Sequence, residues 1–191
     1  QTRGLDLKRA MDKLDLLVVV DPFPSATAAM AAMPGKAEDL NGKRAVYLLP
    51  ACTQFETSGS VTASNRSLQW REKVMDPLYE SRSDHMIMYQ LADKLGFGKE
   101  LVKNYKMQVV KGQKEPVPED ILREINKSVW TIGYTGQSPE RLKAHMELMG
   151  QFDVKTLKAK AGAKAKNGYD ISGDYFGLPW PCYGTPELKH P

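Results

Sequence analysis

Two aspartates in this 191-residue chain stand where a carboxylate can recognise a ligand. Asp21 follows the uninterrupted apolar run Leu16–Val20, and Asp84 comes at the start of a segment with helical periodicity. A carboxylate can accept the N1–H and N2–H2 donors that guanine presents side by side, or the hydroxyls of a ribose. Both residues also have plainer explanations, because Asp before Pro is common in turns and Asp can cap a helix. The chemistry that these residues support is recognition of a nucleotide.

The segments around Asp21 have the pattern of an α/β unit. Leu16–Val20 and Ala45–Leu49 are both apolar and both stop at a proline-containing turn, which is typical of strands buried on both faces of a parallel sheet. The Ala- and Met-rich segment Ser25–Met33 is long enough for a short helix between them, and a right-handed crossover is expected. Asp21 and the residues after Pro50 should therefore share the sheet edge at which open α/β sheets bind ligands.

The segment Phe55–Trp70, FETSGSVTASNRSLQW, is crowded with small and hydroxylated residues. Such a composition is typical of a loop that lays backbone and short side chains against a polar ligand. The sequence therefore predicts a ligand-contacting loop beside Asp21.

Helical patterns precede and follow this region. Four apolar residues form a stripe that predicts an N-terminal helix: Leu7, Ala10, Met11 and Leu14. A later helix begins at Ser83 or Asp84, carries Ile87, Leu91 and Leu95 on one face, and ends at Gly96. The segment Pro34–Arg44 is predicted to be a loop, and Glu119–Val129 and Pro139–Met149 are predicted to be helices. The predicted fold class is α/β, a partial Rossmann-like parallel sheet with helices, followed by helical and irregular segments.

Composition and charge argue against several functional classes. Hydrophobic residues make up 41% of the chain and charged residues 26%, a soluble globular balance without a run of the about 18 apolar residues that a membrane span needs. A net charge of +4 does not indicate nucleic-acid binding. The lysines between Lys155 and Lys166 alternate with alanine and lack interleaved aromatics, so we interpret them as a solvated surface and not as a polyanion site.

The two cysteines, Cys52 and Cys182, lie far apart in the sequence. Two thiols cannot hold an iron-sulfur cluster or a structural zinc, and the three histidines show no ligand spacing with them. We therefore predict that both cysteines are buried as small hydrophobic residues and that this stretch supplies no metal ligand.

A longer pattern runs through the region that follows Leu49. It resembles the segment "LP, several residues, E-x-x-G-T-x-x-N-x-E-R-x-x-Q" of molybdopterin oxidoreductases that carry a bis(molybdopterin guanine dinucleotide) cofactor. The matching positions are Leu49-Pro50, Glu56, Gly59, Arg66 and Gln69, and the departures are Ser60, Ala63 and Asn65. Together with the ending DYFGLPWPCYGTPELKHP, the chain resembles an internal fragment of the large (alpha) catalytic subunit of a respiratory formate dehydrogenase.

The resemblance implies roles for particular residues. Val20, Asp21, Thr57 and Asp84 match positions at which the family holds the nucleotide part of one cofactor molecule, and Arg66 either lines the cofactor or braces the loop. The family often has Lys where Thr57 stands, and Thr can donate only one hydrogen bond. The implied cofactor contains molybdenum or tungsten, whose Cys or selenocysteine ligand and 4Fe-4S cluster belong to other parts of the subunit. No catalytic residue is expected here.

The resemblance also divides the chain and suggests its activity. Residues 1–110 would be part of the α/β molybdopterin guanine dinucleotide-binding domain, residues 111–166 a helical extension and residues 167–191 an irregular segment. The implied reaction is oxidation of formate to carbon dioxide with electrons passed to iron-sulfur clusters, and the chain alone is predicted to be inactive. The alternatives are the equivalent part of a nitrate or polysulfide reductase, or a stand-alone nucleotide-binding module.

Partners and location follow from the same resemblance. The expected partners are the remainder of the catalytic subunit and an iron-sulfur electron-transfer subunit, with a membrane cytochrome b subunit as a further candidate. Respiratory relatives are mostly periplasmic, so the periplasm is the expected compartment.

Overall fold

The computed structural model describes residues 3–31 and 45–184, and it begins with a helix and a parallel pair of strands. These first elements are α1 (Gly4–Met11), β1 (Leu16–Asp21), α2 (Ala26–Ala31) and β2 (Ala45–Pro50). β1 and β2 are parallel and in register, with Leu16 opposite Ala45 and Asp21 opposite Pro50. The predicted strands and the start of the predicted helix between them are confirmed. The predicted loop Pro34–Arg44 lies outside the described residues, so the hand of the crossover stays a prediction.

A third backbone segment runs parallel to β2 at its carboxyl end. Ala51 forms a parallel bridge with Arg82. The Arg82 amide donates to the carbonyl of Pro50 at 3.0 Å, and the Cys52 amide donates to the carbonyl of Arg82 at 2.8 Å. At this end the order across the sheet is therefore β1, β2 and the Arg82 segment, and the prediction of an α/β fold with a partial parallel sheet is confirmed.

The prediction that β1 is buried on both faces is wrong. Exposed and half-buried residues alternate along the strand, and Leu16, Val18 and Val20 on one face are 56%, 48% and 39% exposed. The sequence could not reveal this, because an apolar run is the same whether one face or both faces are covered. α1 forms as predicted, but none of its residues is buried, so its apolar stripe is also left open.

Much of the segment Phe55–Trp70 is a hairpin, so the prediction of a loop over its whole length is wrong. The two antiparallel strands are β3 (Gly59–Thr62) and β4 (Leu68–Arg71). Leu68 and Trp70 are buried while Gln69 between them is exposed, which is the period of two that a half-buried strand requires. The turn is completed by Arg66, whose φ of 65° lies in the left-handed region.

The remaining elements are mostly helical. They are α3 (Asp84–Lys94), α4 (Gly98–Leu101), β5 (Met107–Val110), β6 (Gln113–Pro116), α5 (Pro118–Ser128) and α6 (Pro139–Glu147), with 3-10 turns at Trp130–Ile132 and Met149–Gln151. The three long predicted helices are confirmed. On the predicted apolar face of α3, however, Ile87 is buried whereas Leu91 and Leu95 are exposed. The β5–β6 hairpin was not predicted, and the predicted boundary at residue 110 falls within it.

The described core lies in the second half of the chain and forms two clusters. The first contains Leu68, Trp70, Leu122, Leu142, Leu178 and Cys182. The second contains Ala144, Phe152, Ala159, Ala163, Ala165 and Ile171. In the run from Lys155 to Lys166 the lysines are thus exposed to solvent, while Ala159, Ala163 and Ala165 are buried. That the lysines do not form a polyanion site stays a prediction. Within 3–31 and 45–184, no helix has the length and apolar character needed to cross a bilayer.

Candidate functional site

Three backbone segments end together at one edge of the parallel sheet. The carbonyl of Asp21 accepts a hydrogen bond from the amide of Ala51 at 3.2 Å, and Cys52 is bonded in turn to Arg82. Asp84 follows Arg82 by two residues. Asp21 and the beginning of α3 are thus separated by two interstrand spacings, about 10 Å. The expected convergence of Asp21 and the residues after Pro50 on one edge is confirmed.

Asp21 makes the turn that its sequence context suggested, and it keeps an oxygen for other partners. Its Oδ1 accepts a hydrogen bond from the amide of Phe23 at 2.8 Å, which closes the turn through Pro22. Its Oδ2 has no hydrogen bond to any described residue, and the side chain is only half-buried. Turn formation and ligand binding are therefore compatible at Asp21. Val20, the preceding residue, is 39% exposed on the open face of β1.

The structure decides which residue caps α3. The hydroxyl of Ser83 accepts a hydrogen bond from the amide of Met86 at 3.2 Å, so Ser83 is the cap and Asp84 is the first helical residue. Asp84 is exposed, and its carboxylate forms no ion pair or hydrogen bond within the described part of the chain. The amide groups of the first helical turn have no acceptor within the helix, and the helix dipole favours an anion there. Asp84 therefore lies beside a place that suits a phosphate.

Thr57 lies in the loop between β2 and β3, which leaves the sheet edge after Pro50. Its side chain is half-buried, and among the residues that the structure describes its hydroxyl contacts the carbonyl of Ser58, at 3.4 Å. Such a weak contact leaves the hydroxyl able to turn toward a ligand.

Glu56, next to Thr57, is a functional candidate that the sequence reasoning treated only as part of a pattern. Its side chain is buried, with Oε2 accepting from the amide of Thr53 at 2.6 Å and Oε1 accepting from the amide of Leu78 and the hydroxyl of Ser81. Burial alone would raise the pKa of Glu56, but the hydrogen bonds from these three residues outweigh it and hold the pKa below its ordinary value. The carboxylate is therefore ionised at neutral pH.

The structure does not bring Arg66 to this edge. Arg66 lies at the far tip of the β3–β4 hairpin, one strand length or about 10 Å from Gly59. Its Nε donates to the carbonyl of Trp180 at 3.1 Å, and the Trp180 amide donates back to its carbonyl at 2.8 Å. These contacts favour bracing of the hairpin, whereas contact between Arg66 and a cofactor stays a prediction.

The cysteines differ from each other. Cys182 is fully buried as predicted, but the prediction is wrong for Cys52, which is half-buried because it lies at the open sheet edge. Burial, followed by the negative charge of Glu56, raises the pKa of Cys52 to about 11, although a hydrogen bond with Ser81 partly offsets the rise. A neutral thiol is a poor nucleophile and a poor metal ligand at neutral pH. No group of three or more metal-ligating side chains occurs among residues 3–31 and 45–184.

The donor and acceptor set at the edge fits a nucleotide. Two carboxylates, from Asp21 and Asp84, can accept base or ribose donors, and the first turn of α3 can donate to a phosphate. This set of oxygen acceptors and amide donors matches the nucleotide end of a dinucleotide cofactor, whereas it contains no cluster suited to the metal end.

Comparison with known proteins agrees with this chemistry. A model of the family described as Molybdopterin oxidoreductase matches residues 3–94, which include the whole sheet edge. The chain is 32% identical over 137 residues to the F420-dependent formate dehydrogenase subunit alpha of Methanocaldococcus jannaschii, covering 72% of this chain and 16% of that protein. It is 31% identical over 142 residues to a putative formate dehydrogenase of Staphylococcus aureus, covering 74% of this chain and 11% of that protein.

A relative with a different substrate is also similar. Over 103 residues the chain is 37% identical to the dimethyl sulfoxide/trimethylamine N-oxide reductase of Cereibacter sphaeroides, covering 52% of this chain and 11% of that protein. In every case the chain spans less than a fifth of the relative's length, between 11% and 16%. The family match and these relatives together identify residues 3–94 as a molybdopterin oxidoreductase domain.

Proposed function

We propose that this chain is the part of a formate dehydrogenase catalytic subunit that binds the nucleotide end of a bis(molybdopterin guanine dinucleotide) cofactor. The observation that carries the proposal is the convergence of Asp21, the Thr57 loop and the start of α3 on one sheet edge. The family match implies a molybdopterin cofactor with its metal, and the donor set of this edge supports the guanine dinucleotide form.

Each group at the edge has a task in this proposal. The Asp84 carboxylate accepts the two adjacent N–H groups of the guanine edge, because it is exposed and not used as the helix cap. Asp21, at the end of β1, accepts hydrogen bonds from ribose hydroxyls through Oδ2, because its Oδ1 is bonded to the amide of Phe23. The first amides of α3 face the diphosphate, and Thr57 donates one hydrogen bond from the loop between β2 and β3.

The chemical step takes place away from these residues. When bound, the molybdenum or tungsten centre supplies the two-electron oxidation of formate to carbon dioxide, with electrons leaving to iron-sulfur clusters in other parts of the protein. The residues described here hold and orient the cofactor by its nucleotide. Substitutions among them should therefore change cofactor content more than the turnover of each loaded enzyme molecule.

Formate is favoured over other substrates because the formate dehydrogenases align with a larger part of this chain. The alignments with the formate dehydrogenases cover 72% and 74% of this chain, whereas the alignment with the dimethyl sulfoxide/trimethylamine N-oxide reductase covers 52%. That reductase is nevertheless 37% identical over its shorter range, so the equivalent part of another such enzyme, including a nitrate or polysulfide reductase, is the second candidate. A stand-alone nucleotide-binding module is the third.

Partners and compartment belong to the same proposal. The remainder of a catalytic subunit would cover the open face of β1, where Leu16, Val18 and Val20 are exposed. An iron-sulfur subunit would take the electrons, with a cytochrome b subunit as a membrane acceptor and the periplasm as the compartment.

The proposal is tested with the full-length protein purified from its own cells. We expect formate to reduce a viologen dye, acid hydrolysis to release guanosine monophosphate, and metal analysis to find molybdenum or tungsten. Reduction of trimethylamine N-oxide or nitrate without formate oxidation would replace the first candidate by the second. A protein with neither pterin nor metal would leave the nucleotide-binding module.

A further inference from the structure

A buried carboxylate joins the two segments that flank the candidate site, the loop that carries Thr57 and the turn that leads into α3. Glu56 is 4% exposed, and its two oxygens accept three hydrogen bonds. One donor, the amide of Thr53, belongs to the loop that carries Thr57. The other two, the Leu78 amide and the Ser81 hydroxyl, belong to the turn that leads through Arg82 and Ser83 into α3. These donors lie 22 and 25 residues further along the chain than Glu56.

The bridge between Ala51 and Arg82 joins the beginning of the loop to the end of the turn. Beyond that bridge, apolar packing between loop and turn is sparse among the described residues. Phe55, Leu78 and Tyr79 are 54%, 51% and 93% exposed, and none of them belongs to either core cluster. The backbone carbonyl of Phe55 accepts hydrogen bonds from the amides of Val74 and Met75. These bonds close the base of the segment between them, which contains the β3–β4 hairpin. The turn itself is held from its other side by Lys111, whose Nζ donates to the carbonyls of Pro77 and Tyr79. Apolar packing therefore does not fix the spacing between loop and turn.

The bonding pattern requires an ionised carboxylate at position 56. The amides of Thr53 and Leu78 can only donate, and they meet different oxygens of Glu56, so both oxygens must be acceptors, as they are in a carboxylate. The Ser81 hydroxyl lies within reach of the same oxygen as Leu78 and also of the Leu78 carbonyl. A glutamine of the same size would turn an N–H2 group toward at least one of these donors. One hydrogen bond would be lost and two donors would face each other.

We propose that Glu56 is a positioning residue for the nucleotide: its carboxylate sets the spacing between the Thr57 loop and the N-terminus of α3. This inference rests on the proposed nucleotide site at that edge. Glu56 does not touch the cofactor, since its oxygens are occupied by the three donors. Its removal widens the site and loosens both flanking segments, while the core clusters of the second half stay packed.

The test uses the full-length enzyme and three variants, Glu56→Gln, Glu56→Asp and Glu80→Gln. Glu80 lies on the same turn, is exposed, and has no hydrogen bond to a described residue, so Glu80→Gln is the matched control. The readouts are guanosine monophosphate released per protein, the rate at which bound cofactor dissociates, formate turnover per bound metal, and the unfolding midpoint of cofactor-free protein.

For Glu56→Gln we expect nucleotide content to fall, or cofactor dissociation to accelerate, by about tenfold, the scale of one lost charge-assisted hydrogen bond. Turnover per bound metal should match the wild type, and the unfolding midpoint of the cofactor-free protein should fall too little to account for the lost nucleotide. Glu56→Asp should restore part of the nucleotide content because it keeps the acceptors, and Glu80→Gln should behave as wild type.

Three results would overturn the inference. The first is wild-type nucleotide content and dissociation in Glu56→Gln. The second is an equal loss in Glu80→Gln. The third is a drop in the unfolding midpoint of cofactor-free Glu56→Gln that accounts for the lost nucleotide, which would make Glu56 a general stabilising residue. A wild-type enzyme that contains no guanine nucleotide would instead contradict the proposed function, so the two failures are distinguishable.

Discussion

At the sheet edge the carboxylates of Asp21 and Asp84 keep oxygens open to solvent, whereas in the second half of the chain Asp174 is completely buried. Asp174 accepts from Arg141 through both oxygens, at 2.9 and 3.1 Å, and its Oδ2 lies 2.8 Å from Nε2 of His145. Arg141 is also fully buried, and its third nitrogen, Nη1, donates to the carbonyl of Gly136 at 2.9 Å. Every charge in this group therefore has a partner.

The difference separates a binding surface from a structural one. A buried ionic group is tolerated only when it is fully paired, so Arg141, His145 and Asp174 fasten the irregular segment after residue 167 to α6. Carboxylates that remain unpaired beside a helix N-terminus are free to meet a ligand. We expect substitutions in the first group to change folding and substitutions at the edge to change cofactor content.

Acid should have the largest effect on stability, because it acts on several buried carboxylates together. Burial alone would raise the pKa of Asp174, Glu56 and Glu115, but their hydrogen-bond and charge partners hold each pKa below its ordinary value. Their stabilising contribution is therefore complete above about pH 4.5, the ordinary carboxyl range, and is lost as the pH falls through the lowered values. Urea unfolding of the full-length protein between pH 7 and pH 3 measures this, and stability that rises on acidification would contradict it.

Breaking the buried group should have the largest effect of any single substitution. Asp174→Asn leaves the buried Arg141 without a counter-charge, which we expect to cost about 3–5 kcal/mol of local stability. Hydrogen exchange of peptides from residues 134–182 in the full-length protein reports that loss. Asp76→Asn is the control, since the Asp76 side chain is 73% exposed and should change exchange little. Unchanged protection in Asp174→Asn would remove the contrast between the two regions.

At the edge, Asp84→Asn should weaken cofactor binding without weakening the fold. The amide offers one acceptor and one donor where guanine needs two acceptors, at a cost of about 1–3 kcal/mol in binding. The helix cap is untouched, because Ser83 and not Asp84 accepts from Met86. Released guanosine monophosphate per protein should fall while the hydrogen exchange of α3 in cofactor-free protein stays as in the wild type. Asp84→Ser should bind no better, and full nucleotide content in both variants would exclude contact with guanine.

Arg66→Ala should have the smallest effect and should separate bracing from binding. Its Nε contact with the Trp180 carbonyl is exposed, so we expect a loss of about 1 kcal/mol or less. Exchange should accelerate in peptides that contain Trp180, whereas released nucleotide should stay unchanged. A loss of nucleotide with unchanged exchange would instead assign Arg66 to the cofactor.

The sequence predicted what depends on neighbouring residues. The apolar run before Asp21 became β1, Ser83 became the cap of α3, and Gly96 ended α3 with a φ of 90°. These signals are local, since caps, turns and periodicity act within a few residues. The convergence of Asp21 and the residues after Pro50 also followed, because parallel strands must end at the same edge. The bridge between Ala51 and Arg82 that brings Asp84 beside them is a finding of the structure.

The sequence did not predict what depends on distant partners. Asp174 is 33 residues from Arg141, and nothing in either neighbourhood marks the pair as buried. The role of Glu56 likewise depends on hydrogen-bond donors that follow the hairpin in the sequence. The sequence signal that could have pointed to Glu56 is a single carboxylate within a segment of small residues. The open face of β1 was missed because burial is a property of what packs on a strand and not of the strand itself.

A structure of the cofactor-loaded full-length enzyme would show whether this edge holds the nucleotide end of the cofactor. We expect guanine nitrogens within about 2.7–3.2 Å of the Asp84 carboxylate, with a ribose hydroxyl similarly close to Asp21 and a phosphate at the first turn of α3. A structure in which no atom of the nucleotide lies within hydrogen-bonding distance of Asp21, Asp84 or the α3 amides would contradict it.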